Sequence, residues 1–382
     1  MTKDLTLFAF AEPGQLCLES PSPAQACEQS QRFSAPSCRW NAYLNQFCQS
    51  AFLPWLREEY AQAKVWPNST AAPSFWEVVN GSAINLDDTR LILVPSETID
   101  LSELRVPQEW IDIPSWAGDY YLAAQVEPDS GWVRIWGVAT HQQLKTRGSY
   151  DASDRTYCLD GDDLIKDINV LWVARQLCPD EQTRAAIAPI PTLTTAQAEN
   201  LISRLGSSDI VTPRLAVPFE LWGALLEHGG WRQRLYQQRL GVLDQWSILQ
   251  WLRSGVSEVA QQLGWEQVGF QPSLAGARGT APDVLSRQLT IAGIACELRI
   301  IPNDLEKRIW RFELQTSSDE GIPKGVKLRL LTEDLQTFEN NEAVAKTTVN
   351  RLYIEVALEA GEGLVWEIDP VPENYDREIL RF

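Results

Sequence analysis

The sequence predicts an α+β protein in three parts: an N-terminal α+β domain, a central helical module and a C-terminal antiparallel β-sandwich of immunoglobulin-like type. Three observations predict it. Apolar residues recur at steps of three and four over 39–63, they alternate with a period of two through the last hundred residues, and glycine-punctuated helical segments lie between. At 382 residues the chain exceeds what one hydrophobic core usually covers, so several domains are expected.

Residues 1–35 are rich in Pro, Ser and Gln, show no period, and read as an irregular leader. The α+β domain spans 36–180. It opens with a long helix over 39–63, whose face carries Trp40, Leu44, Phe47, Ala51 and Trp55 and in which Pro54 marks a kink or boundary. Short β-type runs follow at 75–79 (FWEVV) and 89–94 (TRLILV). The segments YYLAAQV and WVRIWGV are joined by Glu127-Pro128-Asp129-Ser130-Gly131. Pro presets one dihedral and Gly accepts the strained one, so this connector predicts a hairpin. Asp160, Asp162 and Asp163 before Leu164, Ile168, Leu171 and Trp172 fit acids at a helix N-terminus followed by an apolar stripe.

The helical module spans 190–272. It holds a helix capped by Thr194 or Thr195 and ended by Gly206, a helical stretch over 218–239, and another over 245–263. A linker at 275–282 leads to the sandwich at 283–382. There Ile294, Cys296, Leu298 and Ile300 alternate with other residues, as do Trp310, Phe312 and Leu314, then Val326, Leu328 and Leu330, then Leu352, Ile354, Val356 and Leu358. Gly361-Glu362-Gly363 reads as a hairpin turn between two β segments.

With 44% hydrophobic and 22% charged residues the composition is that of an ordinary globular protein. The net charge of -18 repels phosphate backbones and anionic membrane surfaces, so neither nucleic acid nor a membrane is expected as a partner. No segment reads as a signal peptide or as a span of roughly 18 apolar residues, which predicts a cytoplasmic location. The seven cysteines are expected to be reduced. Cys17, Cys27, Cys38 and Cys48 lack the close ligand pairs of zinc sites, and no metal or cofactor is expected.

Two histidines restrict the chemistry sharply, since a Ser-His-Asp or Cys-His mechanism must use His141 or His228. His228, followed by two glycines, reads as a helix C-cap. His141 closes a strand, and Cys158 downstream is a candidate nucleophile to pair with it. Phosphate-cradling glycine motifs are absent, and the aspartates at 151–163 lack calcium-loop spacing. What stands out instead is Trp with Arg. Trp132, Arg134 and Trp136 share one face of a hairpin strand, and Trp231, Arg232, Arg234, Tyr236 and Arg239 crowd one helix. Trp, Tyr and Arg dominate interface hot spots, and Arg stacked on Trp inside a fold is the alternative reading. Residues 201–255 hold six Arg against four acids within this acidic chain, a candidate dock for an acidic partner or an intramolecular contact.

The run VRIWGVATHQQLKTRGSYDASDRTY at 133–157 and the run TPRLAVPFELWGALLEHGGWRQRLYQQR at 212–239 resemble the cyanobacterial proteins grouped as a domain of unknown function, number eighteen twenty-two. The likeness covers most of the chain, and the stretch after Gly255 departs from it. The resemblance implies a cyanobacterial host and no catalytic pattern. Family members look to be encoded near alternative sigma factors and caspase-like peptidases, which implies a regulatory adaptor with such a protein as partner.

The expected function is therefore a non-enzymatic cytoplasmic regulatory or adaptor protein working through protein contacts, with a transcription or signalling partner. Its candidate binding residues are Trp132, Arg134, Trp136, His141, Arg155, Arg214, Trp231 and Arg234. Two alternatives stand beside it: a hydrolase using His141 with Cys158, and a small-ligand sensor lined by Trp136, His141 and Arg155.

Overall fold

The structure is a computed structural model that describes residues 14–178, 180–242, 247–269, 283–304, 306–316, 321–373 and 375–382. Over these residues the protein is α+β, with eleven α-helices and four sheets. It divides into two compact units. One holds the described residues up to Leu193 with Ala198–His228 and Arg232–Gly241, and the other holds Thr194–Gln197, Gly229–Trp231 and the described residues from Val242 onward.

In chain order the first unit contains β1 (Leu16–Glu19), α1 (Pro23–Ser30), α2 (Pro36–Glu59), β2 (Lys64–Trp66), α3 (Ala72–Trp76), β3 (Ser82–Leu86), β4 (Thr89–Ser96), β5 (Glu103–Pro107), α4 (Glu109–Asp112), β6 (Tyr120–Glu127), β7 (Trp132–Thr140), α5 (His141–Thr146), β8 (Ser149–Asp151), β9 (Thr156–Asp160) and α6 (Ile168–Leu177). A six-stranded sheet runs β1-β7-β6-β4-β3-β2, and a three-stranded sheet runs β5-β9-β8. The β6–β7 hairpin forms where its turn chemistry places it. Only β4 and β6 of the larger sheet pair in parallel. A parallel pair needs a long crossover, and this one carries β5 and α4. Helix α2 lays Leu44, Phe47, Cys48, Phe52 and Leu56 into a core shared with Ile84, Leu91, Leu122 and Val133 of the sheet, and Pro54 lies inside it.

Several expectations differ from this outcome. Within the leader at 1–35, the described residues form β1, paired with β7, and α1. Their order comes from the neighbouring hairpin strand, which a search for local periodicity does not register. Residues 75–79 are helix and turn, not strand. Phe75, Trp76, Val78 and Val79 are all buried, and a short run buried on every side has no alternation by which to tell strand from helix. The acids at 160–163 form a single 3-10 turn, and α6 is capped instead by Asp167, whose carboxylate accepts from the Asn169 N–H at 2.9 Å.

The helices α7 (Thr195–Leu205), α8 (Phe219–Glu227), α9 (Gly229–Arg239), α10 (Ile248–Ser254) and α11 (Glu258–Gln262) do not gather into a module of their own. Their residues divide between the two units. Thr194 does cap α7, with Gln197 and Thr194 exchanging backbone and side-chain bonds. The linker expected at 275–282 lies outside the described residues.

The second unit adds β10 (Trp265–Gly269), β11 (Asp283–Ile291), β12 (Ile294–Asp304), β13 (Ile309–Thr316), β14 (Lys327–Thr332), β15 (Glu342–Val344), β16 (Arg351–Ala357), β17 (Gly363–Asp369) and β18 (Leu380–Arg381). One antiparallel sheet runs β10-β11-β12-β13-β16 and the other β15-β14-β17-β18. Both contribute to one core around Leu298, Trp310, Phe312, Leu328, Leu330, Trp366 and Leu380. An immunoglobulin domain distributes its strands in Greek-key order, whereas here β10 to β13 follow one another within a single sheet. The β11–β12 link shows why: Ala292 and Gly293 both take positive φ, +48° and +81°, a two-residue turn that keeps successive strands side by side. Gly361-Glu362-Gly363 closes no hairpin, because β16 and β17 belong to different sheets. Glu378 ties this unit together: one of its oxygens accepts from Trp265 at 3.0 Å, Trp366 at 2.7 Å and Arg287 at 2.9 Å.

Gly81, with φ +124°, donates its N–H to the Asn45 side chain at 3.0 Å, and a Cβ there would collide with the Trp110 indole. Gly81→Ala is predicted to cost at least ~2 kcal/mol through backbone strain and displacement of that ring. Urea denaturation checks this, with a lower midpoint at an unchanged slope as the expected outcome.

Candidate functional site

The strand-to-helix junction at His141 is built by its neighbours. Thr140 and Gln143 exchange side-chain and backbone bonds in a capping box that stops β7 and starts α5. This turns the His141 ring into the interior, where it is fully buried. Its Nδ1 accepts from the Ala185 N–H at 3.0 Å, so the proton sits on Nε2, which lies 2.9 Å from the Ile111 carbonyl. Burial lowers its pKa, and the nearby Lys145 and Arg184 charges push the same way, against the Ile111 bond and Asp112. A base with both nitrogens committed to the backbone has none left for a thiol. Cys158 is buried too, with Sγ 3.7 Å from the Thr156 hydroxyl, and burial pushes its thiol pKa up. Such a thiol is the inert kind.

Arg155 and Arg214 form a reciprocal knot. Arg214 makes a bidentate pair with the fully buried Glu109, at 2.9 and 2.6 Å, and donates to the carbonyls of Asp154 at 2.6 Å and Arg155 at 3.0 Å. Arg155, at φ +54°, donates back to the carbonyls of Arg214 and Val217. The Trp222 indole adds a bond to Glu109 at 2.7 Å. Burial alone would lower the Arg214 pKa, and Glu109 holds it raised. Trp136 packs elsewhere, buried, with the Lys166 ammonium 5.7 Å from its ring. The three residues of the ligand-sensor reading are thus each engaged by partners of their own.

Helix α9 repeats the pattern. Arg239 and Glu77 pair at 2.7 Å with both side chains fully buried, and one Arg239 nitrogen also meets the carbonyls of Leu205, Ser207 and Ile210 at 3.1 to 3.2 Å. The Leu205 carbonyl ends α7, where a cation is favoured, and Ser207 and Ile210 follow it in the loop. Arg232 stacks on Phe75 at 3.9 Å and donates to the Ser74 hydroxyl and the Leu226 carbonyl. In the second unit, the buried Trp231 donates to Glu333 at 3.2 Å, and Glu333 also pairs with Arg381 at 2.6 Å. Arg234 stays half-exposed, 4.0 Å from Glu199.

Two further charged clusters of the first unit are engaged as well. Asp151 and Asp154 both grip Arg105 at 2.8 Å. Lys145, Asp112 and Tyr157 close a ring of three 2.8 Å bonds. Among the described residues no group of three or more His, Cys, Asp or Glu side chains could hold a metal ion.

On β7 a Trp–Arg pair expected from the sequence keeps a solvent face. Trp132 and Arg134 are half-buried on β7, with the guanidinium carbon 5.9 Å from the ring. Arg134 donates to the Gln125 carbonyl oxygen at 3.0 Å, and Gln125 donates to the Thr98 backbone at 3.1 Å. On either side of Thr98 stand Glu97, which holds the Trp40 indole at 2.7 Å, and Ile99. Trp40 is 44% exposed and Ile99 88%. Arg134 is thus tied through Gln125 to Thr98, and Trp40 to the neighbouring Glu97.

Sequence reasoning missed Glu109, Glu77, Trp40 and Ile99 as partners. A signal existed for the two acids: each stands alone in an apolar aromatic run, FWEVV and VPQEWI, and an acid so placed needs a buried cation.

A family model described as Protein of unknown function (DUF1822) matches residues 16–381, running through the stretch after Gly255 that was expected to depart from it. No curated protein and no solved structure matches the chain.

Removing one partner of a buried pair strands the other, so Glu109→Ala is predicted to cost ~3–5 kcal/mol, while Glu109→Leu combined with Arg214→Met recovers most of it. A double-mutant cycle by chemical denaturation checks this. The neutral His141 gives a second prediction. Its folded pKa lies below the unfolded value of about 6.5. The unfolded chain therefore binds a proton that the folded chain refuses, and stability falls as pH drops below about 6.5. Unfolding midpoints from pH 8 to 5 should show the decline, and His141→Asn should flatten it.

Proposed function

The chain belongs to this DUF1822 family, whose description carries no activity, and we propose on its own chemistry that it is a non-enzymatic regulatory or adaptor protein that works through protein contacts. One observation carries the reading: among the expected Trp–Arg clusters, Trp132 and Arg134 stay partly accessible side by side on β7. A large planar ring beside an arginine is the composition of an interface centre. The partner is a protein of the transcription or signalling class, with a sigma factor or a caspase-like protein as the candidates, in a cyanobacterial cytoplasm. The net charge of -18 disfavours nucleic acid and anionic membranes as partners, and no helix among the described residues is long and apolar enough to cross a membrane. The second unit, with its two antiparallel sheets, serves as a second contact platform. On its outer surface Tyr353 is 52% exposed, with the Arg311 guanidinium 4.8 Å from its ring.

The hydrolase reading loses support from the committed nitrogens of His141 and the raised thiol pKa of Cys158.

The test is a binding titration of the full chain against a purified sigma factor and a purified caspase-like protein from the host. It is run beside a Trp132→Ala, Arg134→Ala variant whose folding is verified by circular dichroism. At least a ~10-fold loss of affinity in the variant is the expected outcome. Equal binding by both proteins would move the contact off this pair, and no binding by either would remove these partners.

A further inference from the structure

Among the described residues the strands that end a sheet are β1, β2, β5, β8, β10, β15, β16 and β18. Strand β16, Arg351–Ala357, is the longest of them at seven residues. Natural proteins commonly keep edge strands short or interrupt them with Pro or a bulge, because unpaired backbone groups invite another strand. β16 contains no Pro and pairs with β13 without a register shift. Its side chains alternate: Leu352 and Ile354 are buried, while Arg351, Tyr353 and Glu355 are exposed.

The backbone bonds flanking β16 show which of its groups face outward. The Thr316 N–H donates to the Asn350 carbonyl at 3.3 Å, and the Leu358 N–H donates to the Arg308 carbonyl at 3.1 Å. Hydrogen-bonded and non-bonded positions alternate along an antiparallel pair, so the N–H and C=O groups of Leu352, Ile354 and Val356 turn toward β13. Those of Arg351, Tyr353 and Glu355 turn toward the open edge, and among the described residues no bond from another element reaches them.

Along that edge the exposed side chains run Arg351, Tyr353, Glu355, and end for end the order is Glu355, Tyr353, Arg351. A second copy laid antiparallel about a two-fold axis at Tyr353 sets the two tyrosines opposite each other and Arg351 of each copy opposite Glu355 of the other. On the inner side Leu352 meets Ile354. Aromatic, opposite-charge and apolar pairs are the favourable cross-strand kinds, and each outward-facing pair exchanges both of its backbone bonds. Registers centred on Arg351 or on Glu355 set like charges opposite each other instead. The charges are available for such pairing. Arg351 lies 3.8 Å from Glu313 and stays exposed, and Asn303 and Arg311 both donate to Oε1 of Glu355, which leaves Oε2 for a further donor. At physiological salt the Debye length of about 8 Å screens the net charge of -18 on each chain more than it screens these contact pairs.

We propose that the chain forms a two-fold dimer by pairing β16 with β16 of a second copy, centred on Tyr353, so that the two five-stranded sheets run on as one. The contact uses neither Trp132 nor Arg134, and it stands or falls apart from the adaptor reading.

Sedimentation equilibrium of the full-length protein tests this. A contact one strand wide lies at the low end of interface sizes, so a dimer with a dissociation constant of ~1–100 µM is expected. Arg351→Glu and Glu355→Arg each set like charges across the two-fold axis and are expected to weaken the dimer at least ~10-fold. An equimolar mixture of these two variants is expected to dimerise again, because acids on one chain then face arginines on the other. Tyr353→Pro removes an outward N–H and no bond to β13, a position at which an edge strand tolerates Pro, and it should also weaken the dimer at least ~10-fold. Circular dichroism verifies the folding of each variant, and Tyr353→Pro decides the matter if a charge variant fails to fold. A wild-type chain that stays monomeric throughout ~1–200 µM overturns the proposal and leaves the edge to a strand of another protein. So does a dimer that every variant keeps, and so does a mixture of folded charge variants that stays monomeric.

Discussion

Glu109 holds a carboxylate where no solvent reaches it, and the β8–β9 turn and the backbone at 214–217 are arranged around the arginine that answers it. Arg214 arrives from a segment more than a hundred positions along the chain, and its remaining N–H groups collect carbonyls from the β8–β9 turn. Arg155 returns the bonds to the backbone of Arg214 and Val217. Planar five-donor guanidinium groups suit this task because one side chain can serve a carboxylate and several carbonyls at once. The Glu77–Arg239 pair does the same for the end of α7. Buried pairs of this kind add little net stability over well-packed apolar side chains, yet they penalise any arrangement that leaves one member unanswered. They therefore act on which fold forms more than on how stable it is.

The regular elements were legible in the sequence because their patterns are local. The stripe from Trp40 to Trp55 is α2, the Pro-Asp-Ser-Gly connector is the β6–β7 turn, and the alternation at Trp310, Phe312 and Leu314 is the buried face of β13. Where the pattern came from distant partners it failed. β1 exists because β7 offers it an edge, α3 is buried on all sides, and the assignment of β16 and β17 to opposite sheets is invisible to the two-residue period each strand shows on its own.

The Trp and Arg clusters were visible as composition and misleading as location. Ten of the 16 tryptophans are buried, one is exposed, four are intermediate, and Trp246 lies outside the described residues. Several of their indoles donate to acids: Trp222 to Glu109, Trp231 to Glu333, and Trp265 and Trp366 to Glu378. An indole carries one polar atom on a large apolar body, so a buried carboxylate can be paired with it while the ring fills the core. The acids that hold these rings do not stand beside them in the sequence, and for that reason interior Trp–Arg density could not be told from interface density.

Glu378 bears on the order in which the second unit can be completed during synthesis. Its carboxylate accepts from Trp265, Arg287 and Trp366, and Leu380 and Phe382 enter the same core. All the strands from β10 to β17 precede these residues in the chain. As they leave the ribosome they carry a buried-type arginine and two indole N–H groups whose acceptor has not yet been made. The nascent sheets must wait with unpaired edges and uncovered apolar faces, a state that invites association with other chains. The first unit's large sheet, whose strands are all complete by Thr140, faces no such delay, so the two halves of the molecule meet the cell's chaperones at different moments and with different needs.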